Sequence, residues 1–236
     1  ELFSNASCSG EPIQIATTSS DILPGTVRFS DVYQGSTYWV KEVQQAPDWV
    51  LTTPNCQGYT IHDDLHSNNQ MEFGNFHYAQ VTGNKFEDAN NNGAYDDAES
   101  YLNDWTIRLY QKSLVADEWN FVGDAVTGST GSTGAYGFSG LSLGDYKVCE
   151  VKQDGWNQTY PAGTSGGIGS EAPNCNFFTV TGSGQTFIGN FGNVHFGTII
   201  VSKYNDLDGD GKRDDNEPLL NDWEINLEGQ PSQLTG

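Results

Sequence analysis

Methionine occurs once in 236 residues, histidine four times, and Lys and Arg number only 10 against 31 Asp and Glu. A formal charge of −21 leaves no basic footprint for a phosphate backbone, so nucleic acid is not expected as a partner. No apolar run approaches the roughly 18 residues that a membrane-spanning helix needs. The i, i+3, i+4, i+7 pattern of an amphipathic helix is also missing around the most distinctive motifs. His62, His66, His77 and His195 are scattered, and the stretch HDDLH (62–66) reads as a polar loop rather than a metal site. No Ser–His–Asp or nucleophile-elbow pattern is present, so an enzyme is not expected. The chain starts at Glu1 without a signal peptide, which fits a mature or excised form.

Glycine and aromatics are plentiful: 28 Gly, 12 Phe, 11 Tyr and 6 Trp, the composition of short strands joined by many turns. The length suits about two domains. The fold class expected is all-β. Two twelve-residue stretches carry the spacing by which one loop surrounds calcium with hard oxygens. DLDGDGKRDDNE places Asp206, Asp208, Asp210, Asp214 and Glu217 at positions 1, 3, 5, 9 and 12, with Gly211 at the sharp turn and the Lys212 carbonyl at position 7. DANNNGAYDDAE repeats it with Asp88, Asn90, Asn92, Asp96 and Glu99, Gly93 at the turn and the Ala94 carbonyl at position 7. The flanks VTGNKF, TIIVSKY, NDWTIRLY and NDWEINL are β-branched and aromatic, so these EF-hand-like loops are expected between strands, not helices. Calcium is the cofactor expected.

None of the four cysteines has CxxC spacing, which disfavours zinc. An even count beside calcium loops implies an oxidising, extracellular compartment, with Cys149 paired to Cys175 and Cys8 to Cys56. Asn5 (NAS) and Asn157 (NQT) have the glycan-acceptor pattern.

The chain repeats itself with a period of 118: Lys85 and Lys203, Asp88 and Asp206, Trp105 and Trp223, and the FGN triplets 73–75 and 191–193 are all so spaced. GTVRFSDVYQGSTYWVKEV (25–43) parallels GAYGFSGLSLGDYKVCEV (134–151). Residues 81–195 make one complete unit. Residues 1–80 lack the opening strands and loop, and 196–236 contain only those missing parts. The two ends are complementary halves of one domain, either a window on a tandem array or halves that meet head to tail in neighbouring subunits. Joining Gly236 to Glu1 keeps the phase and places Phe3 opposite Phe121.

KFEDANNNGAYDDAE, LNDWTIRLY, GAYGFSGLSLGDYKVCEVKQDGW and FGN together resemble the calcium-binding B-type repeat domain of serine–aspartate repeat surface proteins, within the Cna B-type, prealbumin-like sandwiches. The resemblance implies a sandwich of about seven strands, used in tandem as a calcium-stiffened stalk on a cell surface. Residues 1–24 match least.

Strand alternation raises one further question. Tyr146, Val148 and Glu150 share a face, as do Tyr38, Val40 and Glu42, Val81, Gly83 and Lys85, and Ile199, Val201 and Lys203. Each unit thus turns a Lys and a Glu inward, and unpaired buried charges are costly enough that the two must meet. One outcome is a buried salt bridge. The other follows from the resemblance: a self-formed isopeptide bond between Lys and Asn, with Glu as proton shuttle. The sets are Lys85, Glu150 and Asn193, with Asn190 as a rival acceptor, and Lys203, Glu42 and Asn75. Trp105 and Trp223 are expected to be packing residues. The function expected is an extracellular stalk or head-to-tail filament whose partner is itself, the alternative being an adhesin module for a host or matrix ligand.

Overall fold

Every regular element among the described residues of the computed structural model is a strand; those residues are 1–18, 23–43, 46–62, 70–228 and 233–235. Residues 63–66 of the HDDLH stretch lie outside them. The chain divides into two units, Glu1–His195 and Phe196–Gly236.

In the first unit, β1 (Leu2–Phe3), β2 (Thr37–Lys41), β3 (Trp49–Leu51), β4 (Cys56–Thr60) and β5 (Asn75–His77) form two small sheets, β1-β2-β4 and β3-β5. The complete repeat follows as β6 (Ala79–Glu87), β7 (Thr106–Lys112), β8 (Trp119–Val126), β9 (Ala135–Leu141), β10 (Gly144–Val151), β11 (Trp156–Tyr160), β12 (Glu171–Val180), β13 (Thr186–Ile188) and β14 (Phe191–His195). One sheet has the order β12-β10-β7-β8. The other is built on β6, which pairs with β13 and β14 in parallel and with β9 antiparallel, while β11 flanks β14.

Alternation in β6 sets the core. Ala79, Val81, Gly83 and Lys85 are buried, while Gln80 is exposed and Thr82 and Asn84 are half-buried. Val81 packs with Ile107, Leu109, Tyr136, Tyr146, Val148, Val180 and Phe191 between the sheets. Gly83 is required by closeness: a Cβ there would lie 2.0 Å from the Gly189 carbonyl oxygen. The first and last strands of the repeat are parallel neighbours, with Lys85 opposite Phe191 and Glu87 opposite Asn193.

The N-terminal segment repeats part of this plan. Trp49, Val50 and Leu51 stand opposite His77, Phe76 and Asn75, as Trp156, Asn157 and Gln158 stand opposite His195, Val194 and Asn193. The His77 amide donates to the Ser183 hydroxyl at 2.8 Å and the Gly184 amide to the His77 carbonyl at 2.8 Å, joining this segment to the complete repeat.

The second unit contains β15 (Glu224–Ile225) and β16 (Gln233–Leu234). The strand expected at TIIVSKY is not formed: Ile199, Ile200 and Val201 are exposed, because the segments that flank the matching β6 have no counterpart in 196–236. The joined phase is corrected too. Thr235 takes the place of Thr127, its hydroxyl donating to the Leu220 carbonyl at 2.7 Å as Thr127 donates to Leu102 at 2.8 Å, so the 118 period breaks in a shorter hairpin.

Candidate functional site: a buried triad and two acidic loops

Lys85 on β6 and Glu150 on β10 face each other across the sandwich, Nζ to Oε2 3.4 Å, with both side chains wholly buried. Asn193 on β14 is buried with them, and the Lys85 amine stands 4.2 Å from the centroid of the Trp105 ring. Trp105 is a packing residue, 2% exposed and edge-on to Trp156. Asn190, the rival acceptor, is used elsewhere: its Oδ1 accepts the Asn84 amide at 2.9 Å and its carbonyl the Asn176 side chain at 3.0 Å.

Burial lowers the Lys85 pKa from 10.5 to about 8, with Glu150 opposing. Burial raises that of Glu150 from 4.5 to about 7, with Lys85 and Asn193 opposing. Groups normally far apart in acidity are brought close together, so passing the proton from amine to carboxyl costs little. Both Glu150 carboxylate oxygens and the Asn193 Oδ1 are buried without a hydrogen-bond partner, an expensive state for polar atoms.

The outer face of β10, which alternation alone assigns to the exterior, is also covered. Lys147 is 1% exposed, its Nζ donating to the Gly166 carbonyl at 2.5 Å and lying over the Tyr110 and Trp119 rings at 4.8 and 5.3 Å. Its pKa is lowered by burial, against the pull of Glu171. The Tyr110 hydroxyl donates to the buried Glu171 carboxylate. Beneath lies the Cys149–Cys175 disulfide, both residues fully buried, with the Cys175 amide donating to the Ser165 carbonyl at 3.1 Å. Residues 161–170 thus roof this face. Cys8–Cys56 is the second disulfide, and both pairings match expectation.

The two acidic loops have one internal pattern. Asp88 Oδ2 accepts the Gly93 amide at 2.7 Å, and Asp206 Oδ2 the Gly211 amide at 2.9 Å. Glu99 accepts the Ala89 and Asp96 amides, as Glu217 accepts those of Leu207 and Asp214. The Ala94 amide donates to Asn92 and the Lys212 amide to Asp210. Gly93 and Gly211 have φ of 77° and 79°, the left-handed turn that position 6 requires. Carboxylate oxygens of Asp206, Asp208 and Asp210 lie within 4.8 Å of one another. This all-oxygen donor set fits a hard divalent cation of calcium type. Backbone amides led by Gly211 hold the Asp206 pKa below its ordinary value. For Asp88, burial pushes upward and is outweighed by the Thr159 side chain and the Gly93, Asn92 and Asn91 amides.

In the N-terminal segment the Asn75 side chain donates to the Glu42 carboxylate, leaving Glu42 Oε2 and Asn75 Oδ1 buried and unpartnered. In the second unit Lys203 lies 4.9 Å from the centroid of the Trp223 ring. Trp223, expected to pack, is 51% exposed, because 196–236 provides no opposing sheet.

A sandwich whose first and last strands are adjacent, with this triad between its sheets, has the architecture of the prealbumin-like B-type class. Residues 79–186 match the model of the SdrD B-like domain. Among solved structures the chain is similar to the Bacillus anthracis TIE protein, at 15% identity and TM-score 0.39, over 68% of this chain and 25% of that one. It is also similar to the shaft pilin SpaA from Lactobacillus rhamnosus GG, at 13% identity and TM-score 0.34, over 54% and 53%. The full-length major pilin SpaD from Corynebacterium diphtheriae matches at 15% identity and TM-score 0.32, over 50% and 30%. This chain thus spans a quarter to about half of the length of those proteins. No curated protein matches it. Among the described residues no helix is long and apolar enough to cross a membrane.

Proposed function

We propose that the chain is an extracellular structural segment of a surface stalk or filament, that calcium clamps its two acidic loops, and that a Lys85–Asn193 isopeptide bond bolts the complete repeat. The observation that carries this reading is the buried Lys85–Glu150–Asn193 set, spanning the strand by which the chain enters the sandwich and the strand by which it leaves. Neutral Lys85 Nζ attacks the Asn193 side-chain carbonyl carbon. The new C–N bond replaces the C–NH₂ bond, and Glu150 carries the amine proton to the departing nitrogen, which leaves as ammonia. Tension applied through β6 and β14 then runs through an amide bond, and the sandwich between them stays folded.

Calcium would be held by Asp88, Asn90, Asn92, Asp96 and Glu99 with the Ala94 carbonyl, and by Asp206, Asp208, Asp210, Asp214 and Glu217 with the Lys212 carbonyl. It would neutralise carboxylates that otherwise repel one another and fix the connections between strands.

Single-molecule stretching tests the bolt. Lys85 and Asn193 enclose about 108 residues, worth about 37 nm when fully extended. Wild type should show no such release, and Lys85→Ala should. A full-length release from wild type refutes the bolt. Melting with and without chelator tests the clamp.

A further inference from the structure

Asn92 and Gly93 form the sole Asn-Gly pair in the sequence. In such a pair the glycine amide nitrogen can attack the asparagine side-chain carbon, because no Cβ blocks the approach. Asparagine counts among the thermolabile residues. The second acidic loop carries no such amide at the matching place, where Asp210 precedes Gly211. Asn92 is exposed, so water for hydrolysis is at hand.

The closed loop restrains both reacting groups. The Gly93 amide donates to Asp88 Oδ2 at 2.7 Å, and the Asn92 amide to Asp88 Oδ1 at 2.9 Å. The Asn92 side chain is pinned at each end. Its Oδ1 accepts the Ala94 amide at 2.8 Å, and its Nδ2 donates to Asp96 Oδ2 at 2.9 Å. Attack requires the Gly93 nitrogen to shed its proton, and a carboxylate beside that nitrogen opposes the added negative charge. It also requires the Asn92 side chain to swing toward Gly93, which breaks both of its hydrogen bonds. The restraint is anchored in the sandwich. Asp88 directly follows β6, is fully buried, and its own amide donates to the Asn193 carbonyl at 2.8 Å.

We propose that Asn92 is a self-modification site, held unreacted by its clasp with Asp88, Ala94 and Asp96 and converted irreversibly whenever the loop opens. The Gly93 nitrogen bonds to Asn92 Cγ, the Cγ–Nδ2 bond breaks, and the Gly93 amide proton departs with Nδ2 as ammonia. Water then opens the five-membered succinimide. Cleavage at Cγ leaves aspartate. Cleavage at the backbone carbonyl carbon leaves isoaspartate, with the chain running through Cβ and Cγ. The net reaction consumes one water, releases one ammonia and needs no oxidant. The aspartate product gives the first loop the carboxylate that Asp210 gives the second. The isoaspartate product adds a methylene to the chain, which moves Gly93 off Asp88 and spoils the loop. A segment thus keeps a chemical record of the time its loop has spent open. The proposal rests on the calcium reading only in that a bound ion holds the loop shut for longer.

Peptide mapping of the full chain tests this, since the conversion raises the mass by about 1 Da and enzymatic methylation marks isoaspartate separately. Three samples are incubated at one mildly alkaline pH: folded with calcium, folded with chelator, and unfolded in urea. The unfolded chain should convert at Asn92 faster than at any other asparagine. The folded chain in chelator should convert there about tenfold more slowly or less, because only its open fraction reacts. Calcium should slow it further. Asn92→Gln should abolish the gain in that peptide. Asp96→Ala frees Nδ2 and should bring the folded rate in chelator closer to the unfolded one. Equal rates in the folded and unfolded chains overturn the proposal, as does an Asp96→Ala chain no faster than wild type. An unfolded chain in which Asn92 keeps its amide overturns it as well. Protection by folding that calcium does not increase counts against the calcium clamp and supports the hydrogen-bonded clasp.

Discussion

Replacing Glu150 with Gln changes one atom in the core and separates a salt bridge from a covalent bolt. If Lys85 and Asn193 are bonded, the cross-link encloses about 108 residues, and its loop-closure entropy is worth about 5 kcal/mol. The substitution removes the proton shuttle, so that contribution is lost. It also strips Lys85 of its facing carboxyl, leaving the Phe86 carbonyl at 3.5 Å and the Trp105 ring. Lowering the amine from 10.5 to about 8 already corresponds to about 3 kcal/mol against its charged form. The two effects share Lys85 and do not add. The larger sets the expected loss at about 5 kcal/mol, which for a repeat of this size lowers Tm by roughly 20 °C. Intact mass gives the independent reading. Wild type should weigh about 17 Da less than its sequence for each bond formed, and Glu150→Gln should regain one such loss. A wild-type mass equal to the reduced or oxidised sequence mass, with no branched peptide on digestion, refutes the bolt and leaves a buried ion pair.

Three further outcomes follow from other parts of the molecule. Asn193→Ala leaves Lys85 free beside Glu150. A lysine held at about 8 when folded and 10.5 when unfolded is a penalty below pH 8 that fades as pH rises to 10.5, so the variant should gain stability across that window in denaturant titrations, and the bonded wild type should not. Calcium at a hundredfold excess over Kd should add about 2.7 kcal/mol per loop, measured by calorimetry, and Glu99→Gln should lose that gain in the complete repeat. Gly83→Ala drives a methyl group into the Gly189 carbonyl and should cost about 3 kcal/mol or more by chemical denaturation, with the calcium response of the second loop unchanged.

Much of the site could be read from alternation. Val81, Gly83 and Lys85 lie on one face of β6, and Tyr146, Val148 and Glu150 on one face of β10, so the inward Lys and Glu are legible in the sequence. Parity also separates Asn193, in step with Phe191, from Asn190, whose side chain accepts the Asn84 amide and whose carbonyl accepts the Asn176 side chain. Lys147 escaped because its cover comes from residues 161–170, a segment without strand period whose path depends on Asn174, Glu171 and Ser165. A cysteine in step with Lys147 was the available hint that this face is not open to water. TIIVSKY has every local mark of a strand and forms none, since a strand needs a neighbour and propensity cannot supply one. The same limit hid β1, which owes its position to an edge left open beside β2.

The roof over Cys149 and Cys175 bears on how the protein is made. With Lys147 anchored to Gly166 and both sulfurs sealed from solvent, neither an oxidant nor a thiol reagent can reach them in the finished domain. Oxidation therefore has to precede closure of residues 161–170. Maturation acquires an order: pairing of the thiols while β10 and β12 are still uncovered, and only then settling of the lysine. A chain that closes early with its thiols reduced would have to reopen before it could be corrected, whereas one closed in the right order keeps its disulfide when the surroundings later turn reducing.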